Sequence, residues 1–143
     1  KKGQNGSHRG IAHEININEN GLKHPLYKDK NKIFNTPAFN YDEVVTLPNN
    51  ATLLSSNKVN NVMGLNFKYA SANIWGIQYH PEITYEKMIS LIKFRKDRLI
   101  ANRKVFRDEK EIKTHISFIQ NEIDKSNKEL RMLELKNWLN SII

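Results

Sequence analysis

The stretch Trp75-Gly76-Ile77-Gln78-Tyr79-His80-Pro81-Glu82 combines a strand, a turn and two groups that can exchange protons. Its first part is rich in aromatic and β-branched residues, which favours a buried β-strand from Ile74 to Tyr79. His80 precedes a proline, which favours an extended backbone and a turn at that point. An imidazole and a carboxylate therefore stand two residues apart at the end of a strand, just before a helix. In α/β proteins, reactive groups collect at such strand ends.

His80 and Glu82 suit the roles of a base and of the group that orients it. A carboxylate that accepts a hydrogen bond from one imidazole nitrogen fixes the tautomer and raises the basicity of the other nitrogen. From the residue types alone, a histidine at a strand end can equally be a surface or core residue. A metal site at this pair would need a third ligand, and the sequence places none nearby, so we expect no metal.

The segment from Trp75 to Glu82 resembles the Gly-Val-Gln-Phe/Tyr-His-Pro-Glu segment of the class I (triad-type) glutamine amidotransferases, similar to the glutaminase domain of GMP synthase. In that family the His and the Glu complete a Cys-His-Glu triad, which hydrolyses glutamine to glutamate and ammonia. The resemblance implies that His80 and Glu82 are catalytic and that glutamine is the substrate. It further implies that no cofactor is needed, and that a synthase domain or subunit receives the ammonia.

The chain contains no cysteine, so the nucleophile of that family is absent from it. In such proteins the cysteine lies on a strand-to-helix elbow well upstream of the His-Pro-Glu. The resemblance therefore implies that residues 1–101 are the C-terminal part of a class I glutamine amidotransferase domain. Residues 102–143 would be a C-terminal helical extension that packs on it. The expected fold is a partial flavodoxin-like α/β fold, with a mixed sheet that contains antiparallel strands, and with C-terminal helices.

A second segment that resembles the family runs from Tyr41 to Pro48. Its counterpart in the family is His-x-Asp-x-Val-x-x-Leu-Pro, which ends near the active site. Asn40 stands here where the family's His is common, so no role is expected for that position. The resemblance implies that Tyr41 and Asp42 contact the substrate or the residues around it. The residue types also fit an ordinary loop that enters a strand.

Alternating and short apolar runs predict four strands, and residues 33–40 predict a further edge or irregular strand that Pro37 interrupts. Alternation over residues 10–18 predicts a half-buried strand with Ile11, His13, Ile15 and Ile17 on one face. Apolar runs separated by turn residues predict a meander of strands over 51–56, 62–67 and 74–79. The polar residues 1–9 are predicted to form a solvated loop.

Three helices are predicted after the His80–Glu82 pair. Thr84, the segment beginning at Asp108 and the segment beginning at Ser126 each carry an N-terminal capping pattern. Residues 102–107 are predicted to be a basic linker between the first two helices. The last helix is predicted to pack through one apolar stripe, which consists of Met132, Leu135, Leu139 and Ile142 with Trp138 beside it.

The net charge is +8, from 23 basic and 15 acidic residues in 143. Such an excess can indicate a nucleic-acid partner, but the lysines are dispersed and no basic motif interleaved with aromatic residues occurs, so nucleic acid is not the expected partner. No apolar run approaches the ~20 residues that a transmembrane helix needs, and we expect no membrane partner. Cytoplasm is the expected location.

Two other functions fit the same residues. A γ-glutamyl hydrolase of the same fold would use the same triad and differ in its substrate pocket. A catalytically inactive interaction module would lack the cysteine-bearing elbow anywhere in its gene. The C-terminal stripes are also compatible with a homo-oligomer, in which they would pair with a second subunit.

Overall fold

The computed structural model of the chain describes residues 6–102 and 105–143. A central antiparallel sheet carries helices that come mostly from the second half of the chain. The strands are β1 (His8–Arg9), β2 (Ala12–Ile17), β3 (Ile33–Thr36), β4 (Phe39–Asn40), β5 (Thr52–Ser56), β6 (Gly64–Tyr69) and β7 (Ala72–Ile77). The α-helices are α1 (Glu19–Lys23), α2 (Tyr85–Phe94), α3 (Glu109–Ile123), α4 (Lys128–Arg131) and α5 (Leu133–Ile142). Pro25–Tyr27 form a 3₁₀ turn, and Arg98–Asn102 form a π-helical turn.

The main sheet has the strand order β3-β2-β5-β6-β7. All pairings recorded within it are antiparallel. Because β5, β6 and β7 are neighbours both in the chain and in the sheet, the predicted meander is confirmed. β1 and β4 form a separate antiparallel pair. The described residues therefore contribute the antiparallel strands that were expected for this fold class.

A bulge in β2 breaks the predicted alternation of residues 10–18. The step from Ala12 to Ile15 on β2 faces the shorter step from Thr36 to Phe34 on β3. Glu14 absorbs the extra residue with a positive φ of 48°. Ala12 and Ile15 are in consequence both fully buried, although the pattern assigned them to opposite faces. An inserted residue changes the facing of every side chain beyond it.

The hairpin of β6 and β7 is longer than predicted. The sequence predicted a loop over residues 68–73, but β6 continues to Tyr69 and β7 begins at Ala72, with Ala70 at a φ of 50° in the turn. β7 is the outermost strand of the sheet, and residues 74–77 are only half-buried. The prediction of a buried strand is therefore wrong for residues 74–77, because β7 pairs with β6 alone among the described strands.

The predicted caps of α2 and α3 are confirmed. The side chain of Thr84 accepts a hydrogen bond from the Lys87 N–H at 3.3 Å, and that of Asp108 accepts one from the Glu111 N–H at 2.8 Å. Each bond satisfies an N–H that the first helical turn leaves unpaired. The two helices enclose one hydrophobic core, whose buried members are Ile11, Tyr85, Met88, Ile89, Ile92, Leu99, Val105, Phe106, Ile112, Ile116 and Ile119.

Two predicted polar segments are partly buried. Val105 and Phe106 belong to the core between α2 and α3, so the prediction of a basic linker over 102–107 is wrong for them; Arg103 and Lys104 lie outside the described residues. His8 is only 3% exposed within β1, where a solvated loop was predicted. Residues 1–5 of that predicted loop also lie outside the described residues. Pairing of β1 with β4 is what draws His8 inward.

The C-terminal helix differs most from its predicted packing. Asn127, not Ser126, caps α4 by accepting from the Leu130 N–H at 3.1 Å, and the helix is interrupted at Met132 before α5. Glu134 is 1% exposed, whereas the predicted stripe is half-buried at Met132 and Leu135 and exposed at Leu139 and Ile142. The exposed members of the apolar side are Trp138, Leu139, Ile142 and Ile143. α5 therefore contacts the rest of the chain through polar side chains that the hydrophobic pattern did not indicate, Glu134 and Asn137 among them.

The core between α2 and α3 draws on residues from both sides of the predicted boundary at residue 101. The division into a catalytic part and an extension stays a prediction. No helix in residues 6–102 and 105–143 is long and apolar enough to cross a membrane.

Candidate active site

The chain turns at His80, three residues after the end of β7, and the turn is held by backbone hydrogen bonds at both ends. The His80 N–H donates to the Pro37 carbonyl at 2.8 Å, and the Ile83 N–H donates to the His80 carbonyl at 3.2 Å. Thr84 then caps α2. The turn is thus fixed against the segment between β3 and β4 on one side and against the start of a helix on the other.

His80 and Glu82 contact each other within this turn. The imidazole Nδ1 lies 2.9 Å from Oε1 of Glu82. An ionised carboxylate can only accept a hydrogen bond, so Nδ1 is the donor in this contact, and in a neutral imidazole Nε2 would then keep its lone pair. The side chains are 43% and 50% exposed, so the pair can be approached from outside these residues. The geometry is that of a base with its orienting carboxylate.

Tyr79 precedes His80 and points the opposite way, into a buried polar network. Its hydroxyl lies 2.8 Å from Oε1 of Glu134 and 3.1 Å from the Tyr27 hydroxyl. The Tyr79 hydroxyl is the donor in both contacts, and its single proton serves one acceptor at a time. The Tyr27 hydroxyl is itself 2.7 Å from Oγ of Ser55 on β5. Burial raises the pKa of Tyr27 to about 12 and raises that of Tyr79 well above its usual value, so both hydroxyls stay protonated.

Lys30 completes the network from the loop after the 3₁₀ turn. Its ammonium donates to Oε2 of Glu134 at 2.9 Å and to the Leu130 carbonyl at 2.7 Å. It also lies 4.5 Å from the ring centroid of Phe34. The Lys30 and Glu134 side chains are 4% and 1% exposed. Burial lowers the pKa of Lys30, and the neighbouring Glu134 carboxylate opposes that shift.

Arg131 reaches the turn itself. Its Nη1 donates to the Pro81 carbonyl and, at 3.0 Å, to the Ile83 carbonyl. Neither Arg131 nor Glu134 was a candidate from the sequence, because the apolar stripe indicated a different buried face. One available signal was the pair of tyrosines, since buried tyrosine hydroxyls need partners.

Tyr41 and Asp42 lie beyond β4. Tyr41 is half-buried against the core of α2 and α3, with its ring 6.1 Å from that of Phe39. Asp42 is exposed, and its backbone carbonyl accepts from the Asn40 side chain at 2.8 Å. Their contact with a substrate stays a prediction. Among the described residues, no group of three or more His, Asp or Glu side chains is arranged to hold a metal ion.

His8 is the most strongly perturbed histidine, and it predicts acid sensitivity. Burial lowers its pKa to about 4, although a hydrogen bond at Ile11 opposes the shift, and the nearby His13 adds a smaller lowering. Between pH 6.5 and 4 the unfolded chain binds a proton that the folded chain does not, so the free energy of unfolding should fall as the pH falls through that window. Urea unfolding at pH 7 and pH 4.5 should show a loss about 2 kcal/mol smaller in His8→Gln than in the wild type. Equal losses in the two proteins would show that His8 does not control this response.

Comparison with known proteins places this geometry in a context. No sequence family model matches the chain. A γ-glutamyl-L-1-hydroxyisopropylamide hydrolase of a Pseudomonas species is 30% identical over 74 residues, which are 52% of this chain and 25% of the hydrolase. The chain thus spans about a quarter of the length of that relative.

Two solved structures share the fold. A glutamine amidotransferase from Thermotoga maritima superposes with a TM-score of 0.65 at 18% identity, over 99% of this chain and 53% of that chain. The protein SMU.1228c superposes with a TM-score of 0.59 at 14% identity, with the same shares of the two chains. At such identities the likeness concerns the fold. The chain therefore has the glutamine amidotransferase fold, over about half the length of the solved chains it matches, and the resemblance read from Trp75 to Glu82 is confirmed at that level.

Proposed function

We propose that the chain supplies the base and its orienting carboxylate to a Cys-His-Glu triad that hydrolyses glutamine to glutamate and ammonia. The observation that carries this proposal is the 2.9 Å contact of His80 Nδ1 with Glu82 Oε1, at the turn after the last strand of an amidotransferase fold. The Nε2 atom of His80 is the proton acceptor. Glu82 holds the tautomer and stabilises the imidazolium that forms.

In the proposed reaction, His80 takes the proton of a cysteine thiol, and the thiolate sulfur attacks the amide carbon of glutamine. The carbon–nitrogen bond breaks as the imidazolium returns the proton to the leaving nitrogen, which departs as ammonia. Water, deprotonated by His80, then cleaves the glutamyl thioester to give glutamate and the free thiol. Backbone N–H groups beside the cysteine would stabilise the oxyanion of each tetrahedral intermediate.

The cysteine has to come from outside these 143 residues, which contain none. We place it on the remaining half of the amidotransferase domain, since the chain corresponds to 53% of the Thermotoga amidotransferase. That half belongs either to the same polypeptide or to a partner subunit. The ammonia would pass to a synthase domain or subunit, as in enzymes similar to GMP synthase.

Tyr41 and Asp42 are proposed to contact the substrate or its immediate surroundings. The Pro37 carbonyl accepts from the His80 N–H, and Tyr41 follows Pro37 by four residues. Four residues of extended chain span at most about 14 Å, so Tyr41 lies within that distance of a residue that contacts the candidate base. Substitution of a contact residue is expected to raise KM more than it lowers kcat.

A second candidate function is the hydrolysis of γ-glutamyl amides, and the Pseudomonas relative favours it. That hydrolase is named for a γ-glutamyl amide with an organic amine as the leaving group. The triad chemistry is the same, because an amine replaces ammonia as the group that receives the proton from His80. The two functions differ in whether the site accommodates a substituent on the amide nitrogen.

The proposal predicts opposite behaviour for the chain and for the complete protein. The 143-residue chain alone should release no ammonia from glutamine, because no thiol is present. The protein extended by the coding sequence that precedes Lys1, if that sequence encodes a Gly-x-Cys-x-Gly elbow, should release ammonia. Parallel assays with glutamine and with γ-glutamyl isopropylamide, compared as kcat/KM, would separate the two candidate functions. His80-dependent release by the chain alone would contradict the triad, and the absence of any cysteine elbow in the gene or a partner would favour an inactive interaction module.

A further inference from the structure

We propose that Arg131 and Glu134 are positioning residues that hold the His80–Glu82 turn, so that the C-terminal helices maintain the geometry of the base. The catalytic consequence of this inference rests on the proposed function. The contacts from which it is argued are independent of that function. It assigns a role in the site to a region that the sequence predicted to be a separate extension.

Arg131 bridges the backbone on both sides of Glu82. Its guanidinium donates to the carbonyl of Pro81 and to that of Ile83, the residues immediately before and after the orienting carboxylate. Hydrogen bonds from a charged donor are stronger than neutral ones, and here one group spans the segment that carries Glu82. The position of Glu82 relative to His80 is therefore coupled to the position of α4.

Glu134 fixes the other end of the turn. It follows Arg131 by three residues, close to one helical turn, and its Oε1 accepts from the hydroxyl of Tyr79 at 2.8 Å. Lys30 holds the other carboxylate oxygen at 2.9 Å. The residue before His80 and the two residues around Glu82 are thus all bound by one short segment of the C-terminal helices.

The His80–Glu82 contact needs such support. The two side chains are 43% and 50% exposed, and exposed pairs of this kind contribute little free energy of their own. The Lys30–Glu134 pair beneath it is nearly inaccessible to solvent, so its geometry is much less free to vary. The buried network of Lys30, Glu134 and Tyr79 therefore restrains the turn, which keeps His80 Nδ1 close to Glu82 Oε1.

The proposal predicts a local change in Arg131→Gln that does not require catalysis. ¹⁵N NMR of the His80 imidazole in the wild-type chain should show one dominant neutral tautomer with the proton on Nδ1. In Arg131→Gln we expect a mixture of the two tautomers, and an approximately tenfold faster hydrogen exchange of the Ile83 amide. Exchange of the Met63 amide, which donates to Ser55 at 2.9 Å, should stay the same if the sheet is intact.

Two further variants make the test specific. Arg131→Lys keeps the charge but offers a single ammonium in place of a planar fork, so it should fold and give intermediate values. Lys128→Gln removes an exposed positive charge from α4 and should match the wild type in both measurements. An unchanged His80 tautomer and unchanged Ile83 exchange in both Arg131 variants would overturn the positioning role.

The complete amidotransferase separates this inference from the proposed function. If both hold, Arg131→Lys should lower kcat by about tenfold with KM unchanged. Normal kcat in both Arg131 variants, in an enzyme that His80→Ala inactivates, would overturn the positioning role and leave the function standing. The opposite outcome is a His80 tautomer that shifts in the Arg131 variants, in an enzyme whose glutaminase activity is unchanged by His80→Ala. That outcome would overturn the proposed function and leave the positioning role standing.

Discussion

Replacing His80 by alanine in the complete amidotransferase is expected to lower kcat for glutamine by about 10⁴-fold. The imidazole both removes the thiol proton and returns it to the leaving nitrogen, so its loss affects each of these steps. KM should change little, because Nε2 is proposed to contact the nucleophile and the leaving group. Steady-state ammonia release, with the cysteine half present, measures both constants.

Glu82→Gln should have a smaller effect on the same assay, about 10²-fold in kcat. The amide of the glutamine, at the same position two residues from His80, still offers an oxygen that accepts a hydrogen bond. It carries no charge to stabilise the imidazolium, and its NH₂ group can donate to Nδ1 and so favour the tautomer with the proton on Nε2. Glu86→Gln is the matched control, because Glu86 is an exposed carboxylate in the first turn of α2. Equal activities of the Glu82 and Glu86 variants would contradict the orienting role.

Added imidazole provides a further check on His80→Ala. The His80 side chain is 43% exposed, so a free imidazole molecule can enter the space that the alanine leaves. We expect partial recovery of ammonia release at millimolar imidazole, increasing with the concentration of the neutral base. A variant that has lost activity through misfolding would not respond in this way.

The features that the sequence predicted correctly are local ones. Thr84 and Asp108 cap helices because their side chains bond N–H groups three residues ahead. The meander of β5, β6 and β7 follows from short apolar runs separated by turn residues. The contact of His80 with Glu82 likewise joins residues two apart. In each case, the information lies within a few residues of the feature.

The features that were predicted wrongly depend on distant partners. The buried side of α5 carries Glu134 because Lys30, 104 residues away in the chain, supplies a buried positive charge. A hydrophobic pattern cannot anticipate a buried carboxylate, so it selected a different set of positions, of which Trp138, Leu139 and Ile142 are exposed. The solvent exposure of β7 similarly depends on which strands flank it, and periodicity does not specify the order of strands in a sheet.

The buried Lys30–Glu134 pair predicts the largest effect of a single substitution on the free energy of unfolding. Glu134→Gln is expected to lower the free energy of unfolding by about 3 kcal/mol. The glutamine oxygen can still accept from Tyr79, so the main loss is the charge that compensates Lys30, which is 4% exposed. Urea denaturation of the chain at pH 7 measures this difference. As a control, Glu14→Gln in the exposed Lys58–Glu14 pair, with side chains 91% and 66% exposed, should cost less than about 1 kcal/mol.

A double-mutant cycle tests whether the loss belongs to the pair. Lys30→Met leaves the Glu134 carboxylate buried without its cation and should be comparably destabilising. Lys30→Met/Glu134→Gln removes both charges while the amide oxygen still accepts from Tyr79, so its loss should be well below the sum of the single losses, with a coupling of about 2 kcal/mol or more. Additive losses would show that the two charges do not compensate each other. Residue 134 binds Tyr79, the residue before His80, and the amide oxygen of the double variant keeps this hydrogen bond. A folded double variant should therefore retain the His80 tautomer of the wild type. This result would show that the charges contribute stability, whereas the Tyr79 hydrogen bond positions the base.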